Sequence, residues 1–194
     1  MEEYYEYIIN PPVLRKIRKL DWRTLWIRKN DYIDRYYSCM RQEYKIIDES
    51  IDYYITMAEM SIYYLKNYDN YYEYNYIQHT IILVDNFFNE EYLKYDIKER
   101  DFAEYLKYLF LKNNYDIEKI YNLLENSVDK INYDLVVARL LFPSYYYFYL
   151  EKFLLGEDNK LLEIVKRTTE YENYIKKIVD KINECSNKKI VLPF

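Results

Sequence analysis

YIQHTIILVDNFFNEEYLKYDIKERDFAEYLK, residues 76–107, is the stretch on which the fold of this chain turns. Long helical patterns lie on both sides of it, yet its first part is rich in β-branched and aromatic residues without a helical period. Residues 77–84 and 92–95 read as two short strands paired with each other, the only strand signals in the chain. From Arg100 the period changes. Phe102, Leu106, Leu109 and Phe110 recur at helical spacing, which predicts a helix over 100–111 opened by Asp101. The stretch also contains the single histidine, His79, followed by Asp85, Asn86, Asp96 and Asp101 as oxygen-bearing side chains. The expectation is a mainly helical protein with a short β-hairpin insert.

Outward from that insert the pattern is amphipathic. Residues 48–66 place Ile51, Tyr54, Ile55, Ala58, Ile62 and Leu65 on one helical face, and 67–75 read as a polar, tyrosine-rich loop. Before them, Asp21 stands as an N-cap ahead of Trp22, Leu25, Trp26, Ile33, Tyr36, Tyr37 and Met40 on one stripe. Pro11 and Pro12 suit the first turn of a helix. On the C-terminal side Asp116 caps a short helix containing Ile117, Ile120, Tyr121 and Leu124. A more apolar helix begins at Asn132 or Tyr133, and Pro143 should kink it or break it. Residues 159–185 show steps of three and four through Leu161, Ile164, Thr168, Tyr171, Ile175, Ile178 and Ile182. Such a seam serves either a helix docked on its own domain or a contact with a second chain.

Composition limits the function classes. With 194 residues, 51% of them apolar, the chain can build one substantial core. A formal charge of −5 with no basic face excludes a nucleic-acid binder, because phosphate contacts need clustered Lys and Arg. The most apolar run, 135–155, is interrupted by Arg139, Pro143, Glu151 and Lys152, so no membrane span is expected. The acidic start, Met1-Glu2-Glu3, shows no export-signal pattern, so none is expected. A cytoplasmic protein, or one placed in an assembly from the cytoplasm, is expected. Cys39 and Cys185 are too few and too scattered for a zinc site with one histidine. One glycine, Gly156, rules out glycine-rich phosphate loops, and no cofactor is expected. The 29 tyrosines fit AT-rich codon usage and helix packing, with the ring buried and the hydroxyl at the rim.

Five segments in order carry a family resemblance. They are Trp22-Arg23-Thr24-Leu25-Trp26; the run from Asp52 through Tyr53, Tyr54, Met57, Ala58, Glu59 and Ile62 to Leu65; His79; Tyr95-Asp96 with Arg100-Asp101-Phe102-Ala103-Glu104; and Ala138-Arg139-Leu140-Leu141-Phe142-Pro143. Together they are similar to the C-terminal lobe of the kinase-like spore-coat proteins of the CotS and YutH type. The resemblance implies a mainly α, kinase-like (aminoglycoside-phosphotransferase-like) C-lobe helical bundle. About twenty residues precede Trp22, so the N-lobe sheet is expected to be absent. A single domain over 1–194 would then comprise a lead-in (1–20), the C-lobe (21–155) and a C-terminal amphipathic helix (156–194).

Active enzymes of the kinase-like class use an H-x-D-x-x-x-x-N loop, whose aspartate orients the attacking hydroxyl, and a later aspartate for the nucleotide's Mg²⁺. By resemblance His79 matches the loop histidine, Asn86 the metal asparagine and Asp96 the metal aspartate. The catalytic aspartate's position is Ile81, and a hydrocarbon neither takes a proton nor binds a metal. Asn86 and Asp96 would remain as a vestigial, weak cation pair. The expectation is a non-catalytic scaffold of the spore coat with protein partners, either other coat proteins or a second copy through helix 159–185. The alternative is a phosphotransferase completed by a separate N-lobe chain, with Asp85 as the replacement base.

Overall fold

The computed structural model describes residues 13–17, 21–68, 74–80, 93–113, 115–157, 160–192 and 194. Strands β1 (Val13–Ile17), β2 (Tyr74–Thr80) and β3 (Leu93–Ile97) form an antiparallel sheet in the order β1-β2-β3. The β2–β3 pair is the expected hairpin, with Tyr76 opposite Ile97 and Thr80 opposite Leu93. β1 is a correction. After Pro11 and Pro12 the chain runs extended rather than helical and pairs Ile17 with Tyr74. A proline's fixed φ and missing N–H suit a strand entry as well as a helix start, and the β-branched Val13 and Ile17 favour the strand. That pairing also takes Tyr74 and Asn75 out of the expected loop. β2 ends at Thr80, and the expected continuation over 81–84 lies outside the described residues.

Eight helices occur among the described residues: α1 (Trp22–Tyr37), α2 (Lys45–Tyr64), α3 (Lys98–Leu111), α4 (Ile117–Glu125), α5 (Tyr133–Leu141), α6 (Ser144–Leu154), α7 (Lys160–Lys166) and α8 (Thr168–Ser186), and all but α6 fall where the periods predict a helix. Short 3-10 turns, Ser38–Met40 and Leu65–Tyr68, close α1 and α2. None of these helices is long and apolar enough to cross a membrane.

α1 buries Trp22, Trp26, Asn30 and Ile33, whereas Leu25 and Tyr36, expected on the same stripe, are 55% and 61% exposed. At 100° per residue both sit roughly 80–100° from the stripe's centre, outside the face that α2 covers. Asp21 precedes α1 without capping it by its side chain. By contrast Asp116 accepts from Glu118 N–H, and Asn132 from Asp134 N–H, as N-caps of α4 and α5.

α5 is the centre of the bundle, with Tyr133, Leu135, Val136, Val137, Ala138, Leu140 and Leu141 all buried between α2 and α3. Ser61 of α2 donates to Ala138 O at 2.6 Å, so the two backbones approach closely. Phe142 turns extended at ψ 120°, and α6 starts beyond Pro143, as the proline predicts.

The predicted 159–185 helix is two pieces, α7 and α8, broken at Arg167. Its seam is filled from inside: Leu161, Ile175, Ile178 and Ile182 are fully buried, and α8 packs on α4 and α5. The docked-helix option therefore describes the seam, and a second chain would meet only the remaining polar face. The tail is pinned back, with Asn183 Nδ2 donating to Ile190 O at 2.9 Å and Ile190 N–H to Asn183 Oδ1 at 2.8 Å.

Candidate functional site

The junction of β3 and α3 holds two of the candidate residues, Asp96 and Asp101. Ile97 occupies its N-cap position without a side-chain cap, so the helix begins three residues before Asp101. Asp101 is thus not the cap expected from sequence; it lies in the first turn, buried, where an acid favours the helix dipole. Glu99, beside it, accepts from Asn132 N–H at 3.1 Å and ties α3 to α5.

Asp96 is the last residue but one of β3, two residues before the helix, and donors surround its carboxylate. Trp22 Nε1 lies 3.0 and 2.9 Å from its two oxygens, Ile97 N–H donates to Oδ1 at 2.9 Å, and Arg100 Nη1 stands 3.4 Å from Oδ2. An indole, an amide and a guanidinium thus all engage this one carboxylate. Among the described residues no cluster of three or more His, Cys, Asp and Glu is arranged to hold a metal ion. The sheet register sets His79 opposite Lys94, two residues along β2 from Ile77, the partner of Asp96. His79 and Asp96 therefore occupy adjoining strands. Ile81, Asp85 and Asn86 lie outside the described residues, so the Asn86–Asp96 pair is not part of this description.

Behind Asp96 the cluster deepens. Trp22 stacks on Trp26 at 5.3 Å, and Trp26 on Phe142 at 4.4 Å. The Arg139 guanidinium lies 5.6 and 5.5 Å from the two indole rings, and its Nε donates to Glu104 Oε1 at 2.6 Å. Lys107, one turn past Glu104, is buried and donates to Phe142 O at 2.8 Å and Ser144 Oγ at 3.3 Å. Burial opposes ionisation of Glu104, but the charges of Arg139, Lys107 and Arg100 and the Arg139 hydrogen bond outweigh it and bring the carboxyl down to about 2. For Lys107, burial, with Arg139 and Arg100 adding to it, outweighs Glu104 and lowers the ammonium to about 7. Burial, then Arg139, likewise lowers Arg100.

Three separate sequence segments, 22–26, 95–104 and 138–143, thus converge on one buried polar cluster. Periodicity alone missed the roles of Trp22, Glu104, Lys107 and Arg139. One signal was present: Arg139 is the single charge in the apolar run 135–142, and a charge placed there needs a buried partner. Chemically the cluster fixes orientation and charge; Lys107 is its one group whose proton affinity falls near neutrality.

No curated protein and no solved structure matches the chain. Family comparison does match, over residues 9–184, and the chain belongs to the family described as "Spore coat putative kinase YutH".

Proposed function

We propose that this chain is a non-catalytic, kinase-like scaffold of the spore coat, in which residues 21–155 retain the helical lobe of a phosphotransferase and 156–194 extend it. Family membership supports the coat association. The observation that carries the loss of catalysis is Ile81, which stands where the resembling enzymes hold the aspartate that orients the nucleophile. A second observation agrees with it. Asp96, the matching metal aspartate, is engaged by Trp22, Ile97 and Arg100. The segments shared with the family serve to lock α1, α3 and α5 together, a task that a scaffold needs as much as an enzyme does.

The competing reading assigns the missing acid to Asp85 and the nucleotide lobe to another chain. Replacing the wild-type protein with Asp85→Asn in spores separates the two. The scaffold reading predicts coat composition and resistance at wild-type level. Loss of both, with the variant's melting temperature unchanged, would instead point to phosphotransfer.

A further inference from the structure

A cavity of about 270 Å³ opens between the C-terminal half of α3, the α5–α6 junction, α2 and the α7–α8 pair. It lies roughly 14 Å along the α3 axis from the Asp96 end, at 1.5 Å per residue, and shares no residue with the positions that match a phosphotransferase. Its walls are largely aromatic: Tyr54 and Tyr146 stack at 3.7 Å, and Phe110, Tyr149 and Tyr171 are among the other lining residues. The volume sits just below the roughly 300 Å³ at which pockets for drug-sized ligands begin, which suits a single ring with a short arm.

One charged side chain is built into this apolar wall. Lys107 is 3% exposed, lines the cavity and holds its ammonium by two acceptors, Phe142 O and Ser144 Oγ. An ammonium has three protons to donate, so one hydrogen-bonding direction remains beyond those two acceptors among the described residues. Glu104, the acid one turn earlier, is engaged by Arg139 at 2.6 Å and acts on Lys107 only at longer range. Arg139 and Arg100 add further positive potential at the same point. At the mouth the exposed lining residues are Lys112, Lys160 and Glu163, two cations to one acid. A buried cation with aromatic walls around it selects for an anion attached to a flat apolar body.

We propose that this cavity is a binding site for a small aromatic carboxylate, its ring between the tyrosine and phenylalanine side chains and its carboxylate on the Lys107 ammonium. The site uses neither Ile81 nor Asp96, on which the loss of catalysis rests, although Tyr54 and Phe142 of its lining belong to segments shared with the family.

Calorimetric titration of the full chain at about pH 6, where the Lys107 ammonium and the ligand's carboxylate are both charged, with phenylpropionate and with phenylpropionamide tests it. The acid should bind about tenfold or more tighter than the amide, as expected for a hydrogen bond between charged rather than neutral groups. Lys107→Met should remove that preference. Should Lys107→Met fail to fold, Ser144→Trp, which places bulk beside the ammonium, must abolish binding of the acid. Equal affinity for acid and amide in the wild type, no binding of either at millimolar concentration, a preference that survives Lys107→Met, or acid binding that survives Ser144→Trp would overturn the proposal.

Discussion

Trp22 and Asp96 lie 74 residues apart in sequence and meet through an indole N–H and a carboxylate, a contact that holds the first helix to the last strand. Replacing Trp22 with Phe keeps most of the ring and removes the donor. The expected cost is about 1.5–3 kcal/mol, the range for a hydrogen bond to a charged group, read by urea denaturation. Arg139 to Met is harsher, since it leaves Glu104 buried without its partner, and about 3–5 kcal/mol is expected. The ionisable pair also sets a pH dependence. Glu104 titrates lower in the folded state than in the unfolded chain, so its stabilisation is complete above the ordinary carboxylate range. It is lost as pH falls from about 4.5 towards 2. Lys107 works in the opposite sense. Its ammonium is lowered to about 7 from 10.5, so between those values the unfolded chain binds the extra proton and stability rises with pH. Urea midpoints taken across pH 7 to 10 should rise in the wild type relative to Lys107→Met, whose slope lacks this contribution.

At the level of elements, apolar periodicity made the helices legible, while the edges and strands depended on contacts that no local window contains. α4 and α5 start where Asp116 and Asn132 predict, because a side-chain cap is a local interaction. Asp116→Ala should therefore cost about 1 kcal/mol in thermal unfolding. α3 starts before Asp101 because β3 delivers the chain directly into the helix at Ile97, and β1 went unseen because its partner Tyr74 is remote in sequence. The break at Arg167 was equally hidden, since the heptad seam continues through it. Leu141 shows the other extreme. It is 1% exposed at the end of the central helix, and Leu141→Ala should cost about 2–5 kcal/mol by differential scanning calorimetry.

For the whole molecule, only part of the tyrosine abundance serves packing. Tyr133, Tyr146, Tyr147 and Tyr174 are fully buried, whereas Tyr36 and Tyr63 are more than 60% exposed. The candidate site was legible only in part. Asp96 and Arg100 could be named from their motif, but the cluster they join is assembled from α1, α3 and α5, and only folding shows that Trp22 and Arg139 close over it. Asp96 is already satisfied within that cluster, and Ile81 offers no acid, so the central claim concerns nucleotide chemistry. The full chain, incubated with Mg-ATP and assayed for binding by calorimetry and for release of labelled phosphate, should show neither micromolar affinity nor turnover. Micromolar binding together with turnover that Asp85→Asn abolishes would contradict the claim.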